Sequence, residues 1–178
     1  MSESLEFRTE RLRLRPFRGE DLMSLRAYSL DPAFWTYLPI EPQTAALVES
    51  FLEERLGDEW GKGEYQCAVE LVAAGHLIGT VRITEQAPKH RSGNIGYAIN
   101  PRFGGQGYMT EAVREILKVG NTELGLHRIW ATADVENTAS WRVMERVGME
   151  REGLLRHHQL VRGEWRDSYL YSVLSGDA

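Results

Sequence analysis

"NPRFGGQGYMTEAV", residues 100–113, decides how the rest of the chain is read. Gly104, Gly105 and Gly107 crowd together, and the residues after them have helical spacing. Glycine loses the most backbone freedom on folding, so a cluster before a helix marks a place where backbone comes close to something. A strand running through glycines into a helix makes an anion site. Successive N–H groups point inward, and the helix N-terminus carries about +0.5 of an elementary charge. A nucleotide P-loop needs lysine then Ser or Thr after its last glycine, where Tyr108 and Met109 stand. A dinucleotide fingerprint begun at Gly105 and Gly107 needs a glycine at 110, where Thr110 stands. It also needs an early βαβ unit, whereas hairpins precede this turn.

Outward from the loop, the apolar positions Ala112, Val113, Ile116, Leu117 and Leu124 predict a helix over 108–124. Upstream, "NIGYAIN" (94–100) reads as a strand in which Gly96 signals a bulge or a close approach. "YQCAVELV" and "HLIGTVRITEQ" form a hairpin about Ala73, Ala74 and Gly75. Helices are predicted over 18–30 and 43–57, joined by the aromatic connector "DPAFWTYLPIEP". Charged "DEWGKGE" (58–64) leads into the hairpin. The opening "RTERLRLRPFR" alternates Leu12 and Leu14 with Arg11, Arg13 and Arg15, and reads as a strand with one solvated face in preference to a phosphate-binding stripe. Downstream come a strand over 127–135 and a short helix over 137–148, with Asn137 as N-cap and Gly148 past its end. A final hairpin turns at Arg162-Gly163-Glu164. The whole reads as one α+β domain over 1–178, on a mixed and mostly antiparallel sheet flanked by helices.

Composition narrows the functional classes. With 178 residues and a net charge of −5, the chain can bury a core and lacks the basic excess of a nucleic-acid binder. One cysteine, Cys67, excludes an intrachain disulfide and a multi-thiolate zinc site, and no metal site is expected. It lies in an apolar run and reads as a small buried hydrophobe. No segment approaches the roughly 20 apolar residues of a membrane span, and the N-terminus has no apolar leader core, so a cytoplasmic protein is expected.

"PRFGGQGYMTEA" resembles the acetyl-CoA pyrophosphate loop of the GNAT N-acetyltransferase superfamily, with Arg102, Gly105 and Gly107 in its frame. "TERLRLRPF", "NIGYAINP", "TADVENTASWRVMERVGM" and "EGLLRHHQLVRGEWRDSYLYSVL" are similar, in order, to the branch containing the ribosomal-protein N-terminal (alanine/serine) acetyltransferases. Three departures stand out. Gly104 replaces a frequent Trp, which should loosen packing at the loop. Gln106 replaces a frequent Lys, and Met149 a frequent Phe.

The resemblance implies the GNAT fold, with strands splayed at the cofactor site, and acetyl-CoA as cofactor. Binding would fall to Ile99 at the strand end, to Arg102, Phe103, Gly104, Gly105, Gln106, Gly107 and Tyr108 in the loop, to Met109 and Thr110 in the first helical turn, and to Asn137 and Ser140. Backbone N–H groups across Phe103 to Tyr108 would hold the pyrophosphate. Many relatives place a Tyr as the thiolate's acid where this chain has Met144; the ribosomal-protein branch places a Ser, which fits Ser140 as the catalytic residue. A carboxylate position that serves some relatives as base reads Gln159, which accepts no proton. His157, His158, Glu152, Glu85 or a water chain stay open as base. Strand alternation puts His157 and Gln159 on one face and His158 on the other. Trp35, Tyr37, Trp141 and Tyr169 are candidates to line an acceptor pocket, and Asp167 to pair with Arg156 or an incoming amine. The implied reaction is direct acetyl transfer to a primary amine, either a protein N-terminus or a small molecule, in a protein that can form a homodimer. A non-catalytic acyl-CoA-binding module is the alternative that Met144 and Gln159 leave open.

Overall fold

The computed structural model describes residues 6–57 and 60–177; the lead-in positions 58 and 59 lie outside them. The opening arginine-leucine alternation forms β2 (Leu12–Arg15), with β1 (Phe7–Arg8) folded back on its edge. From β2 the chain meanders antiparallel through β3 (Glu64–Leu71), β4 (His76–Ala87) and β5 (Ser92–Ile99). Between β2 and β3 lie α1 (Asp21–Ser29) and α2 (Ala45–Arg55), the latter N-capped by Thr44. After β5 the glycine loop enters α3 (Tyr108–Thr122), which crosses over to β6 (Arg128–Asp134). A parallel neighbour needs such a crossover. Then follow α4 (Thr138–Arg146), β7 (Glu150–Val161) and β8 (Glu164–Leu174), whose tight turn has Arg162 and Gly163 in left-handed conformations. The sheet runs β1-β2-β3-β4-β5-β6-β8-β7, the mixed and mostly antiparallel arrangement expected.

Apolar periodicity sorts the helices to the two faces. Met109, Ala112, Val113, Ile116 and Leu117 of α3 and Met144 of α4 pack with Leu12, Leu14, Val81, Ile83, Ile129 and Tyr171 in one core. Leu25 and Tyr28 of α1 and Val48 and Leu52 of α2 close the other face with Phe17, Ala68 and Leu77. Gly120 lets α3 lie close to the sheet, because a Cβ there would overlap Ile83 and Ile129. Cys67 is buried in the larger core and its thiol is pushed up by that burial, as a structural cysteine should be.

The functional consequence lies between β5 and β6. Their parallel pairing is confined to Ser92–Asn94 against Arg128–Trp130. Beyond these residues each strand keeps its other neighbour, β4 or β8, and the two part company. The sheet therefore opens into a V toward Ile99 and Asp134.

Two expectations are corrected here. The arginine face of β2 is not simply solvated: Arg13 is half-buried against Glu70, and Arg15, 1% exposed, pairs with Asp21 of α1 and Glu70 of β3. The β7 alternation also fails. The register slips between Leu155 and Gln159, and His157 takes φ 48°, so His157, His158 and Gln159 do not simply alternate between faces. Of the two options for Gly96, the close approach is observed without a bulge: Gly96 pairs in register with Arg82, whose Nε lies 3.0 Å from where a Cβ would be.

Candidate active site

At the end of β5, the Asn100 side chain accepts the Arg102 N–H at 3.1 Å and sets a 3-10 turn over Pro101–Phe103. The N–H groups of Phe103 and Gly104 are spent inside that turn, on the carbonyls of Asn100 (2.9 Å) and Pro101 (3.0 Å). The next backbone bond of the helix is Glu111 N–H to the Gly107 carbonyl at 3.0 Å. Among the described residues, nothing accepts the N–H groups of residues 105–110. The free donors thus begin two residues later than Phe103. Gly105 (φ 74°) and Gly107 (φ 80°) hold left-handed conformations that a side chain would strain, and this winds the amides toward one side.

A cavity of about 360 Å³ adjoins these amides, lined by Gly107, Thr110, Glu111, Glu10, Arg11, Arg114 and Arg146. Arg11 is fastened in place. Its Nε bonds Glu111 at 2.7 Å, its Nη1 donates to the Gln106 carbonyl at 3.1 Å, and its guanidinium covers the Tyr108 ring at 4.5 Å. Against the opposing effect of burial, the Thr9 and Arg11 hydrogen bonds hold the Glu111 carboxyl below its ordinary range. Arg11 thus packs a loop that Gly104 was expected to loosen, and returns a positive charge to the place where Gln106 removes one. Arg102 and Gln106 themselves are exposed. The sequence reading set Arg11 on a solvated strand face rather than in a phosphate-binding stripe and named neither Arg114 nor Arg146; for Arg114, the helical spacing of 107, 110, 111 and 114 was the available signal.

Across the V, the Asn137 side chain caps α4 by accepting the Ser140 N–H at 3.2 Å. That cap turns the Ser140 hydroxyl toward β5, where it donates to the Tyr97 phenol oxygen at 3.1 Å. The Tyr97 hydroxyl donates in turn to the Ser140 backbone carbonyl at 2.9 Å. Burial raises the Tyr97 phenol above its ordinary range, so it stays protonated. Met144, which stands where many relatives place a Tyr, is in the core. The turn that carries Asn137 is braced by Asp134, which accepts the Glu136 N–H at 2.8 Å and pairs with Arg166 at 2.9 Å.

The base candidates separate by position. Glu152 is held by Arg128 at 2.6 Å and by Ser172 at 2.7 Å, and these bonds bring its carboxyl down to about 2. Its partner Arg128 begins β6, and Glu85 pairs with Gly93; both acids belong to the closed end of the V. Neither suits a base near Ser140. His157 and His158 stand on the β7 bulge beside Asp167 and Ser168, which adjoin the open end of β6. Asp167 accepts the His157 N–H at 2.8 Å, so it stabilises the bulge and forms no pair with Arg156. A cavity of about 660 Å³ opens there, lined by Leu154, Leu155, Arg156, His157, His158 and Asp167.

The aromatic candidates divide too. Trp35 is buried, bonds the Ser29 carbonyl at 2.8 Å and belongs to the connector's packing; Trp141 meets Tyr169 edge-on at 6.4 Å between α4 and β8. Arg162, at the tip of the closing hairpin, donates to the carbonyls of Trp35 (2.8 Å), Thr36 (2.6 Å) and Ile40 (3.3 Å). It ties hairpin to connector, a link no local sequence signal announces. Among the described residues no helix is long and apolar enough to cross a membrane, and no three His, Cys, Asp or Glu side chains gather to hold a metal.

A mixed sheet opened between two parallel strands, with unspent amides at the crossover helix and a capped serine across the gap, defines the GNAT acyltransferase fold. The chain belongs to that family: the model of the acetyltransferase (GNAT) domain matches residues 11–150, and the protein is an acetyltransferase. It is 32% identical to the uncharacterized N-acetyltransferase YnaD of Bacillus subtilis, over 93% of this chain and 95% of that one. A GNAT-family acetyltransferase structure from Bacillus anthracis superimposes with a TM-score of 0.86 at 32% identity, covering 96% of this chain and 98% of that chain. The spermidine N-acetyltransferase of Vibrio cholerae, in complex with CoA and spermine, gives a TM-score of 0.80 at 25% identity, over 95% and 98% of the two chains. The resemblance to the ribosomal-protein branch also holds: the uS5-alanine N-acetyltransferase of Escherichia coli is 31% identical over 47% of this chain and 43% of that one.

Proposed function

We propose that the protein transfers the acetyl group of acetyl-CoA directly to a primary amine in the V between β5 and β6, with Ser140 stabilising the departing thiolate. The observation that carries this reading is the row of unspent N–H groups from 105 to 110 at the mouth of a strand pair that parts after Asn94. Those amides, with Arg11, Arg114 and Arg146 beside them, match the donor set and positive charge that a pyrophosphate requires. The free edge of β5 as far as Ile99 suits the amides of a pantetheine arm, which add to a sheet as a strand does. When bound, acetyl-CoA supplies an activated acyl carbon and a thiolate leaving group.

The chain's own residues do the rest. The acceptor amine attacks only when neutral, and the histidines of the β7 bulge are the imidazoles near the open end of β6 that can take its proton. An N–H on the β5 edge polarises the acyl carbonyl. Ser140 turns its hydroxyl from Tyr97 toward the developing thiolate. Tyr97, left without that donor, keeps the backbone of Ser140 in place through its carbonyl. The acceptor is a small amine or a peptide N-terminus. The same reading includes a homodimer through the closing hairpin, where the edge strand β7 leaves Leu154 and Leu160 about half exposed. It also puts the protein in the cytoplasm, which suits a lone buried thiol.

Calorimetry with acetyl-CoA and with NAD, followed by thiol release over a panel of amines, tests the proposal. Acetyl-CoA should bind and NAD should not; absence of acetyl-CoA binding would sink it. Replacing Arg114 and Arg146 together by alanine should weaken acetyl-CoA about tenfold, with a shallower dependence on salt, because two screened phosphate contacts are removed. Tyr97→Phe should lower kcat about three- to tenfold, the worth of one hydrogen bond, while the acetyl-CoA dissociation constant stays within about twofold. A matching loss in both constants would make Tyr97 a fold residue only.

A further inference from the structure

The face of the sheet opposite α3 and α4 carries a guanidinium that the fold does not use. Along β4, Val81 and Ile83 are in the core beneath α3, so Arg82 and Thr84 point to the other face, where both are half-buried. Arg82 pairs in register with Gly96 of β5, just past Asn94, the residue after which β5 leaves β6. Its guanidinium lies over Gly96: a Cβ there would stand 3.0 Å from Nε and 3.4 Å from Cζ and Nη2. Glycine at 96 is what lets the group lie on the strand that forms one lip of the V.

Half-buried arginines elsewhere in this protein are matched with acids. Arg13 meets Glu70, Arg128 meets Glu152 and Arg166 meets Asp134. Arg82 meets only the Thr84 hydroxyl, at 3.2 Å, and no carboxylate among the described residues. Its cross-strand neighbour Gln66 gives it no acceptor, because the Gln66 oxygen is taken by Arg55 at 2.9 Å and its nitrogen is turned to Glu64. A guanidinium has five N–H donors in a planar fork that fits a carboxylate bidentately.

We infer that Arg82 binds a carboxylate of the acceptor, and that the acceptor class is a small amino carboxylate, an amino acid or a close relative. A single guanidinium with one hydroxyl beside it matches a monoanion. One strand spacing, about 4.8 Å, separates β4 from the lip, so amine and carboxylate lie a few bonds apart in the substrate. A polyamine gains nothing from this cation. The assignment rests on the acetyl-transfer reading above and adds the substrate's second handle.

The test is the acetylated-product mass shift and kcat/KM for each of the common amino acids beside its own carboxamide, with spermidine, O-phosphoethanolamine and a free-N-terminus peptide amide as further arms. The best amino acid should exceed its carboxamide by about ten- to a hundredfold, the range of a charge-assisted pair. In Arg82→Gln that ratio should fall to near one, with acetyl-CoA binding within about twofold by calorimetry and an unchanged melting temperature. Arg82→Lys, which keeps the charge but loses the planar fork, should lower the ratio less than Arg82→Gln does; it serves if Arg82→Gln folds poorly. Equal rates for acid and carboxamide, or a preference for spermidine, phosphoethanolamine or the peptide, would overturn the carboxylate assignment and leave acetyl transfer standing. Acetyl-CoA binding without product from any amine would overturn both.

Discussion

Ser140→Ala is expected to lower kcat about a hundredfold while acetyl-CoA affinity changes little. The hydroxyl fills no space in the core. It is half-exposed, and its bond in this structure goes to Tyr97 Oη at 3.1 Å. The Asn137 side chain that positions it accepts from the Ser140 backbone N–H, and that bond survives the substitution. The change removes a donor aimed into the V, where negative charge gathers on sulfur as the acyl bond breaks. Removal of one preorganised donor of this kind costs roughly 10²–10³ in rate. A serine hydroxyl is a poor acid at neutral pH, so the expected role is a hydrogen bond or a water relay, and no new ionisation should enter the pH profile. Since Tyr97 acts through Ser140, the double variant with Tyr97→Phe should be no slower than Ser140→Ala alone, a non-additivity that two independent contributions would not give. Rates from a series of amines, with the acetyl-CoA dissociation constant measured alongside, decide it. Undiminished turnover would remove Ser140 from the chemistry.

The parts of this site that lay close together in the chain were legible in advance. The glycine turn, the apolar face of α3 and the Asn137 cap are local patterns, and each is governed by the few residues around it. The parting of β5 and β6 was expected from resemblance alone, since no residue pattern marks where parallel pairing ends. Tyr97 and Ser140 are 43 positions apart and meet because a crossover helix brings β6 beside β5. Arg11 and Glu111, 100 positions apart, meet because α3 packs across the sheet against β2. The histidines of β7 read as alternating because period-two inference assumes an unbroken ladder, and the slip between Leu155 and Gln159 removes that assumption. Arg82 stayed silent for another reason. In a strand, an arginine flanked by Val81 and Ile83 is the ordinary signature of a solvated face, and its lack of an acid is a property of three strands together.

Arg15→Met should destabilise the protein by about 3–5 kcal/mol, the usual cost of breaking a buried ion pair from one side. Arg15 is 1% exposed: Nη1 and Nη2 donate to the two oxygens of Asp21 at 2.8 and 2.7 Å, Nη1 also to the Pro16 carbonyl at 3.0 Å, and Nε to Glu70 at 2.5 Å. Methionine fills much of the same space, so the loss comes chiefly from Asp21, left without its cation in a dry place, while Glu70 keeps Arg13 at 3.2 Å. Asp21 is also 2% exposed and has only the Arg18 N–H, at 2.8 Å, to fall back on. For a chain of this size the melting temperature should fall by about 6–20 °C. Removing the buried pair together, Arg15→Met with Asp21→Asn, should recover more than half of the loss, because the attraction of such a pair is largely cancelled by its desolvation. The consequence reaches function through α1. Asp21 stands in its first turn, and α1 leads into the connector whose carbonyls Arg162 holds against the closing hairpin. At temperatures where the variant is still folded, a loosened α1 should raise KM for the amine and leave acetyl-CoA binding at the α3 loop unchanged. A single variant within about 1 kcal/mol of the parent would mean that water reaches the cluster, and that Arg15 contributes no more than a surface arginine does.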